Sequence, residues 1–317
     1  MYGKNSHDQL QYLCANNIKN IEGRTTYTQM LNPSGGIEAD VTISCLKENY
    51  FRIICPALAR SHNKSHILKN LAKEVKFKDV TDDFSCIGIF GPNSRKFLTF
   101  LFGDYFSKEN FPFSRGKYIN AFNTKIWLQR LSFIGELGWE IYIPIKKTNL
   151  IFNKINKFGK KFNLTYAGMH ALDILRLEKK FLHWGHDITS ENNPFEAGLT
   201  FAVNFKKDED FIGRKALEKI RDTKLKKKLE LFSLKNNLMP GKPLLLHDEP
   251  VFYKGELVGS TTSSNYSFCY KKNICLAYIR GDLKNYEGLT LEVEGKKYSL
   301  THEKHGLHDP QSIYLKN

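Results

Sequence analysis

Apolar residues recur at helical spacing in the first half of the stretch between residues 167 and 199, in the middle of the chain. One stripe repeats at i, i+3, i+4, i+7, i+10 and i+11, and it consists of Ala171, Ile174, Leu175, Glu178, Phe181 and Leu182. This spacing follows the 3.6-residue period of an α-helix and predicts one face that packs on the core. Three basic residues fall on the other side of the predicted helix: Arg176, Lys179 and Lys180.

One member of this stripe, Glu178, is a carboxylate on the face that should be buried. It needs a partner, because an unpaired buried charge costs several kcal/mol or more. A structural ion pair, or a helix edge where Glu178 reaches water, would meet that need. A ligand would also meet it, since an ionised carboxylate accepts two parallel N–H bonds from a planar donor edge such as an aminopyrimidine.

Strict alternation near the N-terminus predicts a β-hairpin. Residues 26–31 form the first predicted strand, and Asn-Pro and Gly-Gly within 32–36 are turn signals. In the second strand, apolar residues at 37, 39, 41, 43 and 45 alternate with polar ones, as in a half-buried strand. Asp40 lies on the polar face, so the pattern alone favours its exposure to water.

The region that follows mixes helix and strand patterns. Strands are predicted at 50–55, 75–80, 86–90, 126–133, 139–145 and 201–205, and helices at 61–74, 95–102, 150–158 and 215–220. The strands 126–133 and 139–145 flank a glycine-containing turn with Glu136 in it. By pattern alone, Glu136 is an exposed turn residue, and Lys206 and Lys207 belong to a solvated loop.

The charged stretch 221–228 is the best domain boundary. Beyond it, short strands recur at intervals of about ten residues and predict a small β-barrel or sandwich: 229–234, 250–253, 256–262, 274–279, 290–293 and 298–302. We therefore expect a core domain over 1–222, with 48–115 as an inserted α/β subdomain, and a C-terminal β-barrel domain over 223–317.

Composition excludes several classes of protein. With 317 residues, 41% of them hydrophobic and 13% aromatic, the chain is globular. No run approaches the roughly 18 apolar residues of a membrane span, and the first 14 residues lack the apolar core of a secretory signal, so we expect a cytoplasmic protein with no membrane partner. Six scattered cysteines without a CxxC pair indicate free thiols.

Net charge and sequence motifs limit the classes of ligand and partner that we expect for this chain. The net charge of +15 favours acidic ligands, but the basic residues are spread out and no nucleic-acid-binding signature accompanies them, so no nucleic acid partner is expected. His183 and His186 have a metal-like spacing without a third ligand, and no metal site is predicted. Neither GxGxxG nor a phosphate loop occurs, which argues against a Rossmann-type flavin or nicotinamide domain.

Five blocks, in family order between about residues 27 and 278, resemble the glycine-cleavage T-protein (aminomethyltransferase) family. The first three blocks read YTQMLNPSGGIEADVTI, GPNSRKFL and SFIGELGWEIYIP. The fourth block contains four runs in succession, which are LRLEK, HWGHDIT, NPFEAGLTFAV and DFIGRKAL. The fifth block reads EPVFYKGELVGSTTSSNYS. The resemblance is greatest to the folate-binding C-terminal half of dimethylglycine and sarcosine dehydrogenases. It implies an α+β, T-protein-like fold, in which a folate-binding core with ferredoxin-like subdomains and a small C-terminal β-barrel surround a central cavity.

The resemblance also implies roles for particular residues. Asp40 matches the acid that follows the Gly-Gly-Ile turn and lies next to the reacting folate nitrogen, although Ala39 replaces the adjacent acid that the family often has. Glu178 would bind the pterin edge. The other implied folate-binding residues are Tyr27 in the first block, Phe133 and Glu136 at the hairpin tip, and Lys206 in a basic pair with Lys207.

The implied activity is a tetrahydrofolate-dependent transfer of one carbon from an amine donor, giving methylene-tetrahydrofolate. The implied partners are a small-molecule amine donor or an aminomethyl carrier, and a separate flavoprotein subunit, because the flavin half of the dehydrogenases is absent from this chain. Two alternatives remain open at this stage. One is a non-catalytic folate-binding regulatory or assembly module, and the other is a folate-dependent demethylase of the same fold.

Overall fold

A computed structural model of the chain describes residues 1–235 and 239–316. It divides into two compact units. The first, here the sheet unit, comprises Met1–Thr28, Val41–Gly168 and Gln311–Asn317. The second, here the barrel unit, comprises Gln29–Asp40 and Met169–Pro310. These units follow from contacts within the fold, and the predicted domain boundary between residues 222 and 223 stays a prediction.

The strands of the described chain come in runs, the longest being the six strands between Lys227 and Glu303. The helices are α1 (Ser6–Leu13), α2 (Arg60–Lys69), α3 (Ser94–Phe102), α4 (Thr148–Gly159), α5 (Met169–Glu178), α6 (Arg214–Arg221) and α7 (Ile313–Lys316). The strands of the first half are β1 (Thr25–Leu31), β2 (Ile37–Lys47), β3 (Tyr50–Ile54), β4 (Phe84–Phe90), β5 (Gly116–Ala121), β6 (Thr124–Gln129) and β7 (Gly138–Pro144). Those of the second half are β8 (Lys227–Leu234), β9 (Pro250–Tyr253), β10 (Glu256–Ser267), β11 (Lys272–Arg280), β12 (Leu289–Val293) and β13 (Lys296–Glu303).

The sheet unit is built on an antiparallel sheet of strand order β4-β7-β6-β5. Helices α3 and α4 bury apolar residues at helical spacing, as Ile151 and Ile155 show in α4. Aromatic rings fill the core of this unit, with Phe106 meeting Trp139 edge-on at a centroid distance of 5.4 Å. Strands β1, β2 and β3 form a smaller sheet, and the chain passes from one unit to the other within β1 and within β2.

The barrel unit contains a closed barrel of strand order β10-β11-β8-β13-β12-β9. Alternate residues of its strands are buried inside, such as Cys275, Ala277 and Ile279 in β11. Closure leaves no unpaired strand edge, so a domain of short strands can satisfy its backbone hydrogen bonds. The prediction of an α+β fold with a C-terminal barrel is confirmed.

Two predicted strands are wrong. Residues 75–80 pair only at Lys76, which exchanges backbone hydrogen bonds with Tyr2, and without a longer partner the segment does not form a strand. Residues 201–205 begin with the short 3-10 helix Thr200–Ala202 and continue irregularly. No helix in the described ranges is long and apolar enough to cross a membrane.

Candidate functional site

Glu178 is the last residue of α5, and its side chain lies inside the barrel unit with 1% of its surface exposed. Ser267, at the end of β10, donates its hydroxyl proton to Oε1 of Glu178 across 2.6 Å. The same hydroxyl oxygen accepts the backbone N–H of Tyr270 at 3.0 Å. The backbone N–H of His308 donates to the carbonyl of Glu178 at 3.1 Å, so two segments distant in the chain hold this helix end.

Burial raises the pKa of Glu178, and the hydrogen bond from Ser267 and the nearby His308 offset only part of that rise. Among the described residues, none donates a hydrogen bond to Oε2 of Glu178. The second oxygen of this buried carboxylate is therefore available to accept an N–H donor from a ligand.

The basic side of α5 differs from the prediction. Arg176 and Lys179 were expected away from the core, but both are buried, because each meets its own carboxylate. Nη1 of Arg176 lies 2.5 Å from Oδ2 of Asp187, and Nζ of Lys179 lies 3.4 Å from Oδ2 of Asp309. The helix also ends earlier than predicted. Lys180 has a left-handed φ of 61°, so the last two residues of the predicted stripe, Phe181 and Leu182, lie beyond the helix.

Asp40 is half-buried on β2, at a position where the pattern alone favoured exposure to water. The side-chain amide of Gln29, a fully buried residue, donates to Oδ1 of Asp40 at 3.0 Å. This contact restrains the carboxylate without neutralising its charge. Asp40 and Glu178 both belong to the barrel unit, so one compact body carries the two acids that the sequence singled out.

The remaining predicted site residues fall in both units. Lys206 belongs to the barrel unit and is exposed, whereas its neighbour Lys207 is buried with its ammonium 4.8 Å from the ring of Phe211. Three half-buried residues belong to the sheet unit: Tyr27, Phe133 and Glu136. A folate-binding role for these residues, and the catalytic role of Asp40, stay predictions.

Some residues that shape the site were missed from the sequence. Ser267 and His308, which contact Glu178, carry no periodic signal that relates them to a helix far away in the chain. The only trace of Ser267 is its place at the end of a run of small hydroxyl residues within β10. The rings of His183 and His186 lie 4.8 Å apart, but no group of three or more His, Cys, Asp or Glu in the described ranges could hold a metal ion.

Comparisons with known proteins agree with this fold. Residues 1–207 match the GCVT N-terminal domain, and residues 230–309 match the glycine cleavage T-protein C-terminal barrel domain. Mitochondrial dimethylglycine dehydrogenase of Rattus norvegicus is 32% identical over 304 residues, which cover 94% of this chain and 35% of that protein. The chain thus spans about a third of the length of the dehydrogenases that it matches.

A free-standing relative and a solved structure match over more of their own length. The aminomethyltransferase of Halothermothrix orenii is 28% identical over 303 residues, covering 95% of this chain and 82% of that protein. The crystal structure of the glycine cleavage system aminomethyltransferase T from Bartonella henselae superposes with a TM-score of 0.84 at 21% identity, over 98% of this chain and 83% of that one. The predicted family is confirmed: this chain belongs to the glycine-cleavage T-protein family.

Proposed function

We propose that this chain binds tetrahydrofolate and transfers to it a one-carbon unit from an amine donor, with methylene-tetrahydrofolate as the product. The observation that carries the proposal is the buried carboxylate of Glu178, which has one oxygen hydrogen-bonded to Ser267 and the other without a donor among the described residues. Family membership supports the same reaction class.

The residues present fit the pterin ring of a folate. Its pyrimidine edge offers an amino group and a ring N–H side by side, which is the planar pair that one carboxylate accepts. Oε2 of Glu178 can take one of these donors. Oε1 can take the other, because an ionised oxygen has a further lone pair beyond the one that Ser267 occupies.

Asp40 has the second role in this proposal. Tetrahydrofolate supplies a nucleophilic nitrogen that takes up the one-carbon unit, and that nitrogen must lose a proton in the process. The Asp40 carboxylate, held by the amide of Gln29, would accept this proton or stabilise the cationic species that precedes its loss. Such general-base assistance is typically worth about 10²–10⁴ in rate, and orientation with exclusion of water contributes more.

The donor would be an aminomethyl group on a carrier, or an iminium released when a separate flavoprotein oxidises a methylated amine. A flavoprotein donor is proposed because relatives of this chain include mitochondrial dimethylglycine and sarcosine dehydrogenases, whose names describe the oxidation of methylated amines. A cytoplasmic location belongs to the same set of proposals.

The test is formation of methylene-tetrahydrofolate from dimethylglycine, tetrahydrofolate and an amine-oxidising flavoprotein, followed by mass spectrometry with and without this chain. We expect the chain to raise the rate above the uncatalysed background, Asp40→Asn to remove the increase, and Glu303→Gln, a barrel carboxylate elsewhere in the unit, to keep it. A rate equal to background in spite of folate binding would favour the non-catalytic alternative. Accumulation of methyl-tetrahydrofolate instead would favour the demethylase.

A further inference from the structure

Arg176 has an acceptor for every one of its five N–H donors. Nε and Nη2 contact Oδ1 of Asp173 at 2.8 and 2.7 Å. Nη1 donates to Oδ2 of Asp187 at 2.5 Å and to the carbonyl of Phe181 at 3.1 Å. Nη2 also donates to the hydroxyl of Ser263 at 2.7 Å. A buried guanidinium with all donors occupied fixes the geometry of each partner, because its fork is planar and rigid.

Asp187 is fully buried and joins this arginine to the barrel strand β10. Its Oδ1 accepts the hydroxyl of Thr262 at 2.6 Å, and its Oδ2 also accepts the backbone N–H of His183 at 2.9 Å. Neighbouring residues of a strand normally point to opposite faces. The register of β10 shifts between Thr261 and Ser263, and this bulge lets Thr262 and Ser263 reach one ion pair.

The loop 183–192 carries this connection on to β2. The indole N–H of Trp184 donates to the carbonyl of Ile37 at 2.9 Å, and the N–H of Ile37 donates to the carbonyl of Asn192 at 2.8 Å. Both backbone groups of Ile37 are thus held by the loop whose turn is closed by Asp187. Ile37 stands three residues before Asp40 in the same strand, so a shift of the loop acts on Asp40 through a short piece of backbone.

We propose that the Arg176–Asp187 ion pair is a positioning device, which holds the strand of Asp40 in a fixed place relative to the helix of Glu178. The proposal rests on the function proposed above, in which Glu178 binds folate and Asp40 assists the transfer. All of its parts lie in the barrel unit. Neither Arg176 nor Asp187 is required to touch the substrate.

The physical reason is that the pair is buried and its partners lie on three separate segments. Removing the charge of Asp187 leaves the buried Arg176 guanidinium with the half-exposed Asp173 as its carboxylate partner, and the loop must move to let water or another acceptor replace the lost charge. A displacement of Asp40 by about 1 Å is enough to cost roughly 100-fold in rate. Folate binding by Glu178 would change less, because α5 keeps its contacts with Ser267 and His308.

The first test needs no folate. Amide hydrogen exchange is measured on wild type, Asp187→Asn and Glu303→Gln. Glu303 also accepts a strand hydroxyl, from Ser233 at 2.7 Å, and lies 3.4 Å from the ammonium of Lys272, but no hydrogen bond or ion pair within residues 1–235 and 239–316 links it to β2. We expect Asp187→Asn to speed exchange at Ile37 by roughly 10-fold or more with β8 unchanged. Equal loss of protection throughout the barrel, or none at Ile37, would overturn the proposal.

The second test is a double-mutant cycle on methylene-tetrahydrofolate formation. Asp187→Asn should lower kcat by roughly 10- to 100-fold and leave the KM for tetrahydrofolate nearly unchanged. In the Asp40→Asn background it should lower kcat little further, because it acts through Asp40. Independent, multiplicative losses would overturn the proposal. If Asp187→Asn does not fold, Thr262→Val, which removes only the hydroxyl, replaces it in both tests.

The two tests separate the failure of each idea. Wild-type chain without any transfer activity would contradict the proposed function, while the exchange at Ile37 still reports whether the ion pair positions β2. Active chain with normal exchange at Ile37 in both Asp187→Asn and Thr262→Val would contradict the positioning role alone.

Discussion

Ser267 fixes the hydrogen-bonding direction of Glu178. Its hydroxyl oxygen accepts the N–H of Tyr270, so its single proton is directed to Oε1 of the glutamate, 2.6 Å away. As long as Ser267 donates to Oε1, a proton that Glu178 binds resides on Oε2, the oxygen that we assign to the ligand. Protonation of Glu178 and binding of an N–H donor compete for the same atom, and the pH dependence of the protein follows from that competition.

The ionisation of Glu178 should make the free energy of unfolding fall as the pH rises. Because the folded pKa of Glu178 is raised, its contribution to the free energy of unfolding is fully present below the unfolded value of about 4.3 and is lost as the pH rises through the folded pKa. In Glu178→Gln the side chain does not ionise, so the variant does not show this pH-dependent decrease in the free energy of unfolding. We expect the Tm of the variant minus that of wild type to increase with pH between about pH 4 and 8, measured by thermal unfolding.

Glu230 provides a control of opposite sign for that measurement. Burial alone would raise its pKa, but hydrogen bonds and charge from Lys180 and His302 outweigh burial and lower it. Its contribution to stability is present above the unfolded pKa and is lost as the pH falls through the folded one. For Glu230→Gln the Tm difference should become more negative as the pH rises. Curves of the same slope for both variants would contradict the assignment of the two shifts.

The hydroxyl of Ser267 should contribute more to the free energy of unfolding than the hydroxyl of Ser260 on the same strand. Ser267→Ala removes the hydroxyl that donates to the buried Oε1 of Glu178 and accepts the N–H of Tyr270, and we expect a loss of about 1–3 kcal/mol in the free energy of unfolding. Ser260 on β10 makes no side-chain hydrogen bond to the described residues, so Ser260→Ala should change the same denaturation midpoint little. Equal effects would show that the bond to Glu178 contributes nothing specific.

The turn before β2 should tolerate no side chain at Gly36. A Cβ there would lie 1.9 Å from the carbonyl oxygen of Ser190, a backbone atom that cannot move aside cheaply. The same turn is held by the side chain of Asn32, which accepts the N–H of Gly36 at 2.9 Å. Gly36→Ala should lower the Tm by several degrees, as a backbone displacement costing about 1–3 kcal/mol does.

Gly168 is the matched control for this substitution. A Cβ at Gly168 would meet nothing within 4 Å, and its φ is not in the left-handed region. Gly168→Ala should therefore leave the Tm unchanged or raise it slightly, since alanine restricts the unfolded chain. A Tm for Gly36→Ala as high as that of Gly168→Ala would contradict the close approach of the turn to Ser190.

The spacing of apolar and polar residues predicted those helices and strands whose buried faces depend on residues close together in the sequence. The alternation through β2 and the spacing of the barrel strands depend on side-chain periods of two, and they were read correctly from the sequence. Glu178 is buried, as its place in a helical stripe predicted, but the whole stretch 176–179 is buried with it. The earlier stripe residues Ala171, Ile174 and Leu175 are only half-buried. The strand predicted at 201–205 failed for a related reason: alternation is necessary for a strand, but a neighbouring strand must also be present to pair with it.

Partners distant in the chain could not be predicted in this way. Ser267 lies 89 residues from Glu178, and Asp309 lies 130 residues from Lys179, so no periodic signal connects them. For the same reason the basic side of α5 was assigned to the wrong environment. Arg176 and Lys179 are buried only because carboxylates from other segments cover them.

The most direct test of the folate site is titration calorimetry of tetrahydrofolate into the wild-type chain and Glu178→Gln at two pH values, one near the ordinary glutamate pKa of about 4.3 and one well above it. We predict micromolar binding to wild type that strengthens with pH, as Glu178 ionises, and binding to Glu178→Gln that is at least roughly 10-fold weaker at the higher pH and independent of pH. Equal affinity of both proteins at both pH values would contradict the assignment of Glu178 as the pterin-binding carboxylate.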